Sequence, residues 1–230
     1  MSLGLQRIRF AEPGLERKRY LVKIKKRKVG ILGGTFDPIH VGHLVTAEAV
    51  RIEYGLEKVL FIPAGNPPHK QNATVTPAMH RYIMTVMATF SNPAFIVSPM
   101  EIERPGPSYT IHTVRDLAQQ YGDQTELYFI TGADAVGDLP TWNNIEDILD
   151  LCHFVGATRP GCVSMIDTVI EYFGETGRQR IHRLATPELD ISSTDIRERV
   201  KNGRSIKYIV PESVEQYIFK EKLYLSDSQI

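Results

Sequence analysis

Six short apolar runs punctuate the chain: Val29-Gly30-Ile31-Leu32, Val59-Leu60-Phe61-Ile62, Ala94-Phe95-Ile96-Val97, Leu127-Tyr128-Phe129-Ile130, Phe154-Val155-Gly156-Ala157 and Ile181-His182-Arg183-Leu184. Near-continuous apolar runs of this length belong to strands buried on both faces, which occur in parallel sheets covered by helices. The stretches between them carry helical spacing. Val114, Leu117, Ala118 and Tyr121 fall on one helical face, and Ile145, Ile148 and Leu149 repeat the pattern after Pro140. Ser193-Thr194-Asp195-Ile196-Arg197 offers hydroxyl and acidic N-caps, and Pro211 opens a last helix through Val214, Tyr217 and Ile218 from a first-turn position. Strands alternating with helices predict an α/β fold built on a doubly wound parallel sheet. A chain of 230 residues, 42% hydrophobic, has enough apolar surface for one such core.

Charge divides the chain unevenly. The formal net charge is zero, yet residues 1–28 hold ten Lys and Arg against two Glu, an excess of eight. Residues 1–27 show no clean period and read as a basic extension, disordered or loosely docked, ahead of a single domain over 28–230. Clustered cations attract phosphate backbones, but without interleaved aromatics they do not specify a nucleic acid, so a solvated arm is expected. Cys152 and Cys162 make no disulfide framework and lack CxxC spacing. No apolar run approaches a membrane span and the start lacks a secretory core, so a cytoplasmic protein is expected; a homo-oligomer stays open.

Ligands of doubly wound sheets bind beyond the carboxyl ends of the strands, so the loops after the apolar runs are the informative ones. Gly33-Gly34-Thr35 follows the first run, where small residues let main-chain N–H groups approach a phosphate or ribose. It is neither a GxGxxG fingerprint nor a GxxxxGK[ST] loop. Phe36-Asp37-Pro38 follows, with Asp37 and Pro38 read as turn formers. His40 and His43 stand three apart at the start of a helix through Leu44, Ala47 and Val50, near an N-terminus that favours anions. The pair fits phosphate contact, plain surface histidines or half a metal site; no HExxH or third ligand supports zinc. Asn66-Pro67-Pro68-His69-Lys70 is a stiff loop whose lysine either meets phosphate or is solvated. Ile191-Ser192-Ser193-Thr194-Asp195-Ile196-Arg197 is either an anion cradle or an ordinary cap with a surface arginine. Trp142, the only tryptophan, either packs in the core or stacks on a flat ring.

The run Gly33 to His43 resembles the HxGH signature of the nucleotidyltransferase superfamily, and residues 191–197 resemble its ISSTxxR signature. With Pro107-Ser108-Tyr109-Thr110, Gly132-Ala133-Asp134, Thr141-Trp142-Asn143 and Arg159-Pro160-Gly161, the chain from Lys28 to Leu225 is similar to bacterial-type nicotinate-nucleotide adenylyltransferases. The resemblance implies a Rossmann-like sheet of the nucleotidyltransferase type. It implies an ATP site from Gly33, Gly34, Thr35, Phe36, His40, His43, Gly132, Asp134, Arg159, Ser192, Ser193 and Arg197. The mononucleotide site would comprise Gly34, Thr35, His69, Lys70, Thr110, Trp142 and Asn143, with the tryptophan on the pyridine ring and Thr110 and the Asn143 N–H on the carboxylate. Many relatives carry an aromatic residue after the tryptophan; Asn143 departs from that.

The implied reaction transfers the adenylyl group of ATP to nicotinate mononucleotide in NAD biosynthesis, with Mg²⁺ carried in by ATP. Nicotinamide mononucleotide or another phosphorylated small molecule is the alternative acceptor, and a nucleotide-sensing or RNA-binding protein on the same fold is the alternative of a different class. A phosphate monoester, with a second pKa of about 6, is already largely dianionic at neutral pH, so no general base is required. What is required is to hold two polyanions together and stabilise charge at the reacting phosphorus, the part expected of His40, His43, Lys70 and Arg197.

Overall fold

The computed structural model describes residues 26–67, 75–158, 163–187 and 189–226, with main chain only at 133–134 and 163–164. The basic extension therefore lies outside the described residues except for its last two positions. The six predicted strands are all present: β1 (Arg27–Gly34), β2 (Lys58–Pro63), β3 (Phe95–Val97), β4 (Thr125–Gly132), β5 (Cys152–Thr158) and β6 (Ile181–Ala185). They form one sheet in the order β3-β2-β1-β4-β5-β6, and every pairing is parallel. The chain winds outward in both directions from β1 and β4, which places a topological switch point between these two neighbours.

Successive residues of the four central strands feed opposite cores, which is why their runs are apolar without alternation. Val29, Ile31, Leu127, Phe129, Cys152 and Phe154 face one core; Leu32, Tyr128, Ile130 and Val155 face the other. Helices α1 (Val41–Tyr54), α2 (Ala78–Thr89), α3 (Met100–Glu103), α4 (Thr110–Tyr121), α5 (Ala133–Gly137), α6 (Ile145–Leu151), α7 (Val163–Tyr172), α8 (Gly174–Arg180), α9 (Ser193–Lys201) and α10 (Glu212–Lys220) cover the sheet. The first core takes Ile111, Val114 and Leu117 of α4 with Ile148 and Leu149 of α6. The second takes Ala47 and Val50 of α1, Met84 and Ala88 of α2, Ile196 of α9 and Val214 and Ile218 of α10. Pro211 stands one place earlier than expected: its extended backbone (φ −56°, ψ 146°) makes it the N-cap of α10. Among the described residues no helix is long and apolar enough to cross a membrane.

A polar chain crosses β5 and β6 on the α1 side. Arg180 Nη1 lies 3.3 Å from His153 Nε2, and His153 Nδ1 lies 3.0 Å from His182 Nε2. A guanidinium only donates, so His153 accepts at Nε2, carries its proton on Nδ1 and donates to His182. Tyr128 stacks on His153 at 4.8 Å, and Lys28 lies over the Tyr128 ring. A proton on His153 Nε2 would face Arg180, and burial together with Arg180 lowers this imidazole from 6.5 to about 4. The unfolded chain therefore binds the proton first, and stability falls as pH drops through 6.5 toward 4. Discounted for partial exposure, the loss from His153 is expected to be about 2 kcal/mol by pH 4. Urea unfolding at pH 7 and 4.5 checks it: His153→Gln is expected to lose less stability across that interval than the parent chain.

Candidate active site

The loop leaving β1 turns sharply. Phe36 adopts a left-handed φ of 50°, Asp37-Pro38 is a cis peptide, and His40 becomes the extended N-cap of α1. The His40 main-chain N–H donates to His43 Nδ1 at 3.2 Å. His43 therefore carries its proton on Nε2 and remains a donor. The two imidazoles lie with centroids 3.7 Å apart, and the Phe36 ring meets His43 edge-on at 5.1 Å. A Cβ on Gly42 would stand 3.0 Å from His40 Nδ1, so the glycine between the histidines makes room for the His40 ring. Burial pulls His40 down from 6.5 to about 4 and, aided by the His40 ring, holds His43 well below the ordinary range. Both are neutral donors before substrate arrives. His40 Nδ1 is the buried side-chain polar atom that has no partner among the described residues.

The motif at the start of α9 docks onto this loop from 155 positions away. Ser193 Oγ donates to the Pro38 carbonyl at 2.8 Å, and Arg197 Nη1 donates to the Asp37 carbonyl at 2.7 Å. Ser192 caps the helix, its Oγ accepting the Asp195 N–H at 3.1 Å. Thus His40, His43, Ser192, Ser193 and Arg197 surround one loop at the carboxyl end of β1. Gly33 and Gly34 close that strand, with Gly33 opposite Ile62 and Gly34 opposite Pro63. Gly132 ends β4 on the other side of the switch point.

On the acceptor side, Thr110 opens α4 and is half-buried. The strand of chain before it is fixed to the loop after β2 by two hydrogen bonds, Ser108 N–H to Asn66 O at 2.9 Å and Asn66 N–H to Ser108 Oγ at 3.0 Å. Trp142 follows a 3₁₀ turn (Leu139–Thr141) and packs edge-on against Phe129 and Phe154 at 5.9 and 5.8 Å, while Asn143 beside it is exposed. The indole is only partly buried, so it combines core packing with an open surface. His69, Lys70, Arg159 and the Asp134 side chain lie outside the described residues. Among those described, no group of three or more His, Cys, Asp and Glu is arranged to hold a metal.

Comparison with known proteins shows the family and the fold. Residues 31–199 match the cytidylyltransferase-like family model. The chain is 53% identical over 206 residues to a probable nicotinate-nucleotide adenylyltransferase of Thermoanaerobacter, spanning 89% of this chain and 98% of that one. The chain belongs to the nicotinate-nucleotide adenylyltransferase family. A second member, from Moorella thermoacetica, is 54% identical over 86% of this chain and 91% of its own length. Among solved structures, nicotinic acid mononucleotide adenylyltransferase of Plasmodium falciparum complexed with NaAD superposes with a TM-score of 0.69 at 19% identity, covering 86% of this chain and 97% of that one. The same enzyme complexed with APC gives 0.67 at 19% identity over the same shares. At that identity the likeness shows the fold.

Within this family frame, the structure adds residues that sequence reading did not mark. Arg81 of α2 is 1% exposed and donates to three main-chain carbonyls: Thr35 at 2.7 Å, Thr76 at 2.8 Å and Gly65 at 3.3 Å. It ties the loop after β1 to both ends of the segment after β2. Asp37 is 3% exposed; its carboxylate accepts from Tyr224 Oη at 2.7 Å and from the Thr76 N–H at 3.1 Å. Its structural reading as a turn residue thus gains a second part, as counter-charge to Arg81. On the acceptor side, buried Glu101 accepts from Thr113 Oγ1 at 2.6 Å, and burial raises its carboxyl above the ordinary range.

Proposed function

We propose that this chain transfers the adenylyl group of ATP to nicotinate mononucleotide, giving deamido-NAD and pyrophosphate for NAD biosynthesis. The observation that carries the reading is the docking of the Ser193–Arg197 cap on the loop that presents His40 and His43. The reading is supported because that assembly brings together imidazole donors, a guanidinium and a helix N-terminus, groups that favour an anion. A phosphate oxygen of the mononucleotide attacks the α-phosphorus; the bond to the β-phosphate breaks and pyrophosphate leaves with its electron pair. The imidazoles donate hydrogen bonds to phosphate oxygens as negative charge spreads over them, and Arg197 adds a fixed positive charge. Lys70 supplies a second cation from the loop after β2. Magnesium enters as part of the nucleotide substrate, since it keeps phosphate and water ligands and needs few carboxylates from the protein.

A carboxylate only accepts hydrogen bonds, whereas an amide also donates. Thr110 and the Asn143 N–H, as donors, favour nicotinate over nicotinamide, whose NH₂ would be left facing donors. The reaction fits a cytoplasmic enzyme, alone or as a homo-oligomer. An acceptor panel with MgATP tests the whole reading. Pyrophosphate release is expected to be fastest with nicotinate mononucleotide. Faster turnover on the amide would overturn the substrate, and salt-sensitive RNA binding without any pyrophosphate release would make the chain a binding protein.

A further inference from the structure

We propose that Tyr224, near the carboxyl end of the chain, is a positioning residue that keeps Asp37 from capturing Arg197 and so leaves the guanidinium available to the nucleotide triphosphate. The inference rests on the adenylyl-transfer reading. Arg197 is held by the main-chain carbonyl of Asp37, at 2.7 Å, and not by its carboxylate. That carboxylate belongs to the same residue, so the two opposite charges are neighbours that do not pair.

The hydrogen bonds around Asp37 explain why. Oδ1 accepts from the Tyr224 phenol at 2.7 Å, and Oδ2 accepts from the Thr76 N–H at 3.1 Å. The buried Arg81 guanidinium supplies the compensating charge, while each of its three nitrogens donates to a main-chain carbonyl, of Thr76, Thr35 and Gly65. Asp37 is thus satisfied at both oxygens without using Arg197. A carboxylate with one oxygen released would gain most by turning to the nearest available guanidinium, and a bidentate pair there would compete directly with a phosphate.

The chain goes to some length to bring the phenol to this position. Residues 224 and 37 are 187 positions apart. Tyr224 itself adopts a left-handed φ of 64°, and so does Lys222 at 54°, backbone that non-glycine residues hold only when their surroundings enforce it. Leu223 and Leu225 on either side pack against the α1-side core. Burial and the adjacent Asp37 carboxylate raise the phenol far above its ordinary range, so it remains a donor at any working pH.

Tyr224→Phe removes the donor and keeps the ring. In the full-length chain it is expected to weaken binding of MgATP, or of a non-hydrolysable ATP analogue, about tenfold by calorimetry. The KM for ATP should rise by a similar factor while the KM for the mononucleotide stays within twofold. Leu225→Ala, which loosens the same segment without touching Asp37, is expected to lower the unfolding midpoint and leave ATP affinity unchanged. Unaltered ATP affinity in Tyr224→Phe would overturn the proposal, as would an equal loss in Leu225→Ala or an equal rise in both KM values. Because nucleotide binding is measured without an acceptor, a chain that fails to release pyrophosphate still tests the role of Tyr224 separately from the reaction assigned above.

Discussion

Replacing His43 by alanine is expected to lower turnover by roughly two to three orders of magnitude, the scale seen when a pre-positioned donor to a charge-developing oxygen is removed. Its Nδ1 is occupied by the His40 N–H, which commits the proton to Nε2, and burial keeps the ring neutral and ready to donate. With His43 assigned to the ATP phosphates, the KM for the mononucleotide is expected to change little. Alanine also releases the His40 N–H at the start of α1. His43→Asn separates the two losses, because its amide oxygen can still accept that N–H. The asparagine variant is expected to recover unfolding stability without recovering turnover. Steady-state kinetics with urea unfolding of both variants decides it, and near-normal turnover in either would remove His43 from the chemistry.

The second large effect is expected at a residue with no side chain. A Cβ at Gly65 would stand 2.1 Å from the Glu101 carbonyl oxygen, 2.9 Å from its carbon and 3.1 Å from Ile102 Cα. All three are main-chain atoms of a short helix, so no rotamer change relieves the clash. Gly65→Ala is expected to destabilise the fold by about 3 kcal/mol, at the upper end for overpacking. Gly65 also accepts from Arg81, and the next residue pairs with Ser108. The phosphate loop and the acceptor loop should therefore separate together, raising KM for both substrates. An unfolding free energy within about 0.5 kcal/mol of the parent, the range of ordinary surface changes, would show that the contact relaxes without consequence.

The central strands were legible because parallel strands buried on both faces must be apolar at successive positions, and the edge strand β3 carried the same apolar signal in Phe95, Ile96 and Val97 although Ile96 is exposed. The place of the histidine pair at the start of a helix was legible because spacing is local, whereas its chemical role came only with the resemblance. Arg81 was hidden for a physical reason. A charged residue in an amphipathic helix ordinarily marks the solvent face, and periodicity cannot announce that three carbonyls will converge on it. Tyr224 was hidden by distance along the chain. That the two motifs serve one nucleotide was implied by the resemblance, while the Ser193 bond to Pro38 emerged only from the structure, since no pattern within either motif points to the other.

The direction of β1 has a practical side. Its amino end, Arg27, lies at the opposite end of the sheet from the loop bearing His40, and eight residues of strand at about 3.3 Å each put roughly 25 Å between them. A surface linkage made at Arg27 would thus sit at the end of the sheet away from the His40 loop. The same attachment beyond Tyr224 would pull on the segment that braces Asp37. For immobilising this catalyst, Arg27 and the segment around Tyr224 are not equivalent handles.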